Sequence, residues 1–209
     1  VKEGILTLSG SDFSSDLNRC VVSIDRRLTD YLCGVDMELS EIVDGSHLYS
    51  PNVNVDDVVL PTEQKNRILE CALNYEAVKE KYLELEIDKN IICGLGQILL
   101  FHGSSGTGKT MMANAIAAKL KKKILLINFP SLGVNSAGDM IKLLFREARI
   151  KKAILFFDEC ESIFRSRDLG DSAVNTCLSE LERFDDMCIL ATNRACDLDE
   201  AMFRRISLA

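Results

Sequence analysis

The chain has 209 residues, 47% of them hydrophobic, with 12 glycines and only 3 prolines, which suits one sizeable α/β domain plus an appendage. That is an ordinary globular composition for which disorder is not the default, and no apolar run approaches the roughly 20 residues of a membrane span. The formal charge of −7 is uneven, because the first 50 residues carry four basic and nine acidic side chains; no basic face marks a nucleic-acid binder.

The sequence starts at Val1 without an export signal, so it is expected to be a fragment or a processed product. Eight scattered cysteines, no CxxC and only two histidines argue against a zinc site. They fit reduced thiols in an intracellular, cytoplasmic protein.

In chain order, GILTLSG (Gly4 to Gly10) reads as a short strand. Ser14 to Gly34 follows as a predicted helix, with Leu17, Val21, Ile24, Leu28, Tyr31 and Leu32 at helical spacing. A polar segment containing Gly45 and Pro51 comes next, and the domain boundary is placed near Ser50. Residues 1–50 are then a small α/β appendage of unknown role, and residues 51–209 the core. DDVVLP (Asp56 to Pro61) is a short extended piece, and a helix begins near Thr62 with Glu63 and Gln64 in its first turn.

From Gly96 onward strands and helices alternate. QILLFHG, KILLINF, AILFFDE and MCILATN are apolar runs of the kind buried on both faces of a parallel sheet. Helical patterns at Thr110 to Leu120, Asp139 to Ala148 and Ser172 to Phe184 separate them, as in a doubly wound α/β fold.

GSSGTGKT fits G-x-x-x-x-G-K-[ST] between a strand and a helix. The binding stretch is Gly103, Ser104, Ser105, Gly106, Thr107, Gly108, Lys109, Thr110 and Met111. Its glycines let backbone N–H groups surround a phosphate, and the helix N-terminus adds partial positive charge. Lys109 can reach the β- and γ-phosphates, and the Thr110 hydroxyl can ligate Mg²⁺. The pattern points to a nucleoside triphosphate. AILFFDE ends in Asp158 and Glu159: Asp158 would hold Mg²⁺ through its water shell, and Glu159 would polarise the attacking water. Asn193, at the end of MCILATN, is placed to contact the same water or the γ-phosphate. No [NT]-K-x-D guanine reader is present, which weakens a GTPase reading.

These motifs resemble the AAA-type ATPases of the AAA+ superfamily. GSSGTGKT resembles their Walker A motif, ILFFDE their Walker B motif, and ILATNRACDLDEAMFRR (Ile189 to Arg205) their second region of homology. DDVVLP resembles the segment that lines the adenine pocket. The resemblance covers roughly residues 52–209 and implies a P-loop NTPase three-layer sandwich with a mostly parallel central sheet. It also implies ATP and Mg²⁺, a homo-oligomeric hexameric ring, and a protein substrate or adaptor. Glu159 would be the catalytic glutamate and Asn193 sensor 1. Arg204 and Arg205 would be paired arginine fingers for the next subunit's γ-phosphate. Val58 and Val59 would flank the adenine.

Three departures qualify this. The loop NFPSLGVNSAG places no aromatic at Leu132 to Val134, where AAA unfoldases grip a polypeptide; Phe129 is too early and is assigned to the core. The sequence ends at Ala209, before the helical lid that carries sensor 2, so weak binding and poor hydrolysis are expected of it in isolation. Ser104 and Ser105 replace prolines, which keeps backbone donors in a more flexible turn. The first function expected is an ATP-hydrolysing motor that remodels a protein partner. The alternative is a nucleotide-dependent assembly or binding module with slow turnover. A nucleic-acid loader and a phosphotransferase fit less well.

Overall fold

The computed structural model describes residues 6–9, 21–24, 29, 32–33, 45–85, 96–128, 137–161, 170–194, 202 and 204–208. The chain divides into two compact units, Val1–Ile42 and Val43–Ala209.

In the first unit, β1 (Leu6–Ser9) pairs antiparallel with β2 (Val21–Ile24), Leu6 opposite Ile24. Strand β2 lies inside the predicted helix Ser14 to Gly34. Val21, Val22 and Ile24 are β-branched and favour extended backbone, and a partner strand decides the matter against their helical spacing. Thr29, Leu32 and Cys33 are helical.

The second unit is built on five strands. They are β3 (Ser46–Tyr49), β4 (Gln97–His102), β5 (Ile124–Asn128), β6 (Ile154–Asp158) and β7 (Met187–Thr192), in the spatial order β3-β5-β6-β7-β4. Strands β5, β6, β7 and β4 run parallel, and β3 is antiparallel to β5 at one edge. Strand β3 precedes the boundary expected at Ser50 and falls in the segment that reads as polar. At the other edge, Leu208 bridges Leu99 in parallel, and Ser207 N donates to Ile98 O at 2.8 Å.

The helices are α1 (Thr62–Glu84), α2 (Lys109–Lys119), α3 (Ala137–Lys151) and α4 (Gly170–Glu182). The four central strands are buried along most of their length because helices cover both faces. On one face, Leu99, Ile124, Ile154, Phe156, Ile189 and Ala191 pack with Met112, Ala113 and Ile116 of α2 and Ala72 of α1. Strand alternation sends Phe157 to the other face, where Phe145 of α3 lies 5.9 Å from it and meets Phe184 edge-on at 5.4 Å. A three-layer α/β/α arrangement results, with a mostly parallel sheet, as expected.

The DDVVLP segment is not wholly extended. Val55–Asp57 form a 3₁₀ turn, capped by Asn54 Oδ1, which accepts from Asp56 N at 3.3 Å. Extended backbone resumes at Val58. No helix among the described residues is long and apolar enough to cross a membrane.

Candidate nucleotide site

After β4 the chain crosses to β5 on the far side of β6 and β7. After β7 it returns past β4 to Leu208. Connections therefore leave the C-terminal ends of β4 and β7 in opposite directions, which opens a crevice at the point where open α/β sheets bind ligands. Register sets what stands there: His102 is paired with Thr192, so Gly103 and Asn193 follow side by side, and Gly103 N donates to Thr192 O at 3.3 Å.

The loop from Gly103 to Gly108 turns within this crevice. Gly106 and Gly108 have φ of +82° and +90°, left-handed conformations that a side chain would strain, and nothing lies within 4 Å of a Cβ built at either. Gly108 caps α2 without a side-chain acceptor, so the first N–H groups of the helix face the loop. Thr107 Oγ1 donates to Ser104 O at 2.9 Å and closes the turn. Lys109 spans it: its ammonium donates to Gly103 O at 2.7 Å, Ser104 O at 2.9 Å and Asn193 Oδ1 at 2.9 Å.

The acid pair stands at the tip of β6, next to β7. Glu159 N donates to Asp158 Oδ1 at 3.0 Å, and Cys160 N to Ala191 O at 2.9 Å, which ties this tip to β7. Glu159 is exposed and has φ of +52°, unusual for a residue with a Cβ and costing on the order of 1 kcal/mol. Glu161 Oε1 accepts from Asn193 N at 3.4 Å. Below lies Tyr49 of β3. Burial and the Asp158 carboxylate raise its phenol above the ordinary value, against a hydrogen bond with Asn114.

A cavity of ≈ 410 Å³ continues from the loop. Gly103, Thr107, Gly108 and Lys109 form one end; Leu60, Ile68, Met112 and Leu208 form an apolar wall, with Gln64, Arg67 and His102 at its rim. The DDVVLP segment enters this wall through Leu60. Val58 is packed in the core, Val59 is 93% exposed, and neither lines this cavity. Extended backbone has a period of two, which turns Val58 and Leu60 inward and Val59 out. Sequence reading also missed Gln64, Arg67 and Ile68. Their i, i+3, i+4 spacing places them on one face of α1, which was a usable signal. Of the loop's neighbours, Met112 rather than Met111 lines the cavity, the Met111 side chain being exposed.

Arg204 and Arg205 lie elsewhere. Ser207 sits beside Ile98 at the start of β4, whereas the glycine loop begins at Gly103, so about 17 Å of strand separates the two ends. Arg205 pairs with Glu182, the last residue of α4. Leu132 to Val134 and Phe129 are outside the described residues.

A glycine loop joining a parallel strand to a helix, with its lysine reaching the next strand's tip, defines the P-loop class of nucleoside-triphosphate-binding proteins. The family model for "ATPase family associated with various cellular activities (AAA)" matches residues 99–208, and a winged helix domain variant matches residues 1–46. The chain is 32% identical over 196 residues to a probable spastin homologue, spas-1, of Caenorhabditis briggsae, covering 85% of this chain and 34% of that protein. It is 30% identical over 212 residues to Fidgetin-like protein 1 of Drosophila melanogaster, covering 94% and 37%. A solved FIGL-1 AAA domain superposes with a TM-score of 0.61 at 23% identity, over 82% of this chain and 59% of that one. The chain belongs to the AAA family of ATPases. It spans only about a third of the length of these two relatives.

Proposed function

We propose that this chain binds ATP with Mg²⁺ in the β4–β7 crevice and hydrolyses it within a ring of copies, remodelling a protein partner. The observation that carries this is the contact of Lys109 with Asn193, which joins the glycine loop to the next strand's tip beside the acid pair.

The residues fit a triphosphate. Gly106 and Gly108 leave the concave face of the loop open, Lys109 offers an ammonium, and the cavity has an apolar wall for a base. They also fit Mg²⁺, a hard cation that takes one or two protein oxygens and draws the rest from phosphate and water; Thr110 and Asp158 supply a hydroxyl and a carboxylate. When bound, the ion neutralises charge on the phosphate oxygens. Lys109 and the loop N–H groups, Gly103 to Met111, would hold the phosphate chain. Glu159 would accept the proton of the attacking water, and Asn193 would orient that water or the terminal phosphate.

The position of Arg204 and Arg205 supports the ring. A pair at the N-terminal end of β4 is a strand's length from its own glycine loop, so a phosphate within its reach would belong to another copy. The slow-turnover reading is favoured by the lack of an aromatic at Leu132 to Val134. The E159Q variant of the full assembly tests the first reading. It should keep ATP binding and lose about 100-fold or more in hydrolysis; undiminished turnover would remove Glu159 from its role.

A further inference from the structure

We infer that the end of the sheet remote from the glycine loop docks a flexible acidic segment of a partner protein, one that carries an apolar side chain among its carboxylates. This docking depends neither on nucleotide nor on a ring.

The surface is assembled from two turns that are distant in sequence and joined by the sheet. One leads from the end of α2 into β5 and holds Lys119, Lys121 and Lys123; the other leads from the end of α3 into β6 and holds Lys151 and Lys152. Strands β5 and β6 pair in parallel with Ile124 opposite Ile154, and Ile154 N donates to Lys123 O at 2.9 Å. The turns therefore lie side by side, about 5 Å apart at the backbone. Lys119, Lys121, Lys123 and Lys152 are exposed and Lys151 is half-buried. Ile150, next to them on α3, is 51% exposed.

Two features set this surface apart from an ordinary solvated face. The turns share one construction: Lys121 N donates to Ala118 O and Lys122 N to Ala117 O, while Lys152 N donates to Arg149 O and Ala153 N to Ala148 O. Each helix is thus closed by a residue in left-handed backbone, a position that favours glycine. Lysine holds both, Lys121 with φ of +55° and Lys152 with +49°. Among the described residues, the only other non-glycine with positive φ is Glu159, at the acid pair.

The second feature is the charge balance. Two helix ends present about one negative elementary charge between them, far less than these lysines carry. The nearest carboxylates are held by other cations, Glu76 and Asp186 by Lys122 and Glu180 by Arg149. Among the described residues no carboxylate forms an ion pair with Lys119, Lys121, Lys123, Lys151 or Lys152.

The partner follows from this chemistry. Lysine ammonium groups are point charges on flexible stems, without the planar fork that grips phosphate and base edges, and they suit carboxylates on a flexible chain. Ile150 adds an apolar anchor that a nucleic-acid backbone would leave unused. A rigid duplex would also press phosphates toward exposed Asp185 at the start of β7, the next strand. About 13 Å of β6 separates the surface from the acid pair, so docking leaves the catalytic end clear.

The test is fluorescence anisotropy of a labelled glutamate-rich peptide with one central leucine, titrated with the full-length protein without nucleotide. The parent should bind at low salt, and about 200 mM salt should weaken binding about 10-fold. K121G/K152G removes two charges while supplying the residue that left-handed backbone favours. It should unfold at or above the parental midpoint and bind the peptide about fivefold more weakly or worse. I150S should bind the leucine peptide about threefold more weakly and an all-glutamate peptide as the parent does. ATP hydrolysis should match the parent in both variants. Parental affinity in K121G/K152G, or no binding by the parent at low salt, would overturn the inference. Equal affinity of the parent for the two peptides would remove Ile150 as the anchor. Duplex DNA bound more tightly than the peptide, and lost in K121G/K152G, would assign the surface to nucleic acid instead.

Discussion

Lys109 shows how a single side chain can close a site. Its three acceptors come from two strands' ends, two being carbonyls of the loop and the third the Asn193 amide. Phosphate oxygens would replace neutral acceptors with charged ones, which makes the exchange favourable. K109M should therefore weaken nucleotide affinity about 10- to 100-fold, measured by titration calorimetry. The unfolding midpoint should move little, because the carbonyls it deserts, Gly103 half-buried and Ser104 exposed, lie in a loop where water can replace the ammonium. A large fall in stability with affinity intact would show that the contacts serve only the fold.

Neighbouring residues show what sequence pattern reveals and what it hides. Gly106, Gly108, Lys109, Asp158 and Asn193 stand out in the sequence by type and spacing; the structure brings Lys109 to Asn193 and puts Asp158 at the tip of the strand next to β7. Leu60 was not legible. Which of Val58, Val59 and Leu60 faces inward depends on where the 3₁₀ turn at Val55–Asp57 releases the chain, and no periodicity in six residues specifies that. The Glu182–Arg205 pair is 23 residues apart in sequence and has no motif to announce it.

At the scale of elements, β5, β6, β7 and β4 were read from unbroken apolar runs, since a strand covered on both faces needs nothing else. Strand β2 was misread because Val21 and Ile24 also satisfy helical spacing, and β3 because Ser-His-Leu-Tyr on an edge carries little apolar signal. Entry into β4 is tightly constrained. A Cβ on Gly96 would stand 2.1 Å from Phe184 O, backbone that cannot rotate away. G96A should cost roughly 3 kcal/mol, seen as a lower urea midpoint. Parental stability in that variant would mean that the approach of α4's exit to β4 is looser than drawn.

Helix α1 is tied to the sheet by charge. Lys122 donates to Glu76 at 2.6 Å and to Asp186 at 2.7 Å, and Lys79 lies 3.2 Å from Asp186. Burial alone would raise the Asp186 carboxyl, but the Lys122 hydrogen bond and charge outweigh it and hold it below its ordinary value of 3.8. Burial likewise opposes the Lys122 ammonium, and the hydrogen bonds to Asp186 and Glu76 overcome it, so its pKa lies above 10.5. A depressed carboxylate stabilises fully above its unfolded value and loses that contribution as pH falls through the folded one. A raised lysine stabilises fully below its unfolded value and loses that contribution as pH rises through the folded one. The network is therefore intact through neutral pH and fails from both extremes. D186N should cost roughly 1–3 kcal/mol at pH 7, because it removes one of the two carboxylates that hold a mostly buried ammonium and leaves Glu76 to hold it. The deficit should shrink below about pH 3.8, where the parent begins to lose the same charge. A deficit independent of pH would assign the loss to packing instead.

For the whole molecule, the long helix α1 joins two places that share no residues. Near its start Gln64, Arg67 and Ile68 border the cavity; about 18 Å along the axis Glu76 and Lys79 meet the Lys122–Asp186 cluster. A rod pinned at its far end makes a firm wall at its near end, and unpinning it lets the wall drift. Substituting Lys122, which touches no nucleotide, should thus weaken ATP affinity several-fold and leave inorganic phosphate affinity unchanged. On the proposed reading, only the base would lean on that rod.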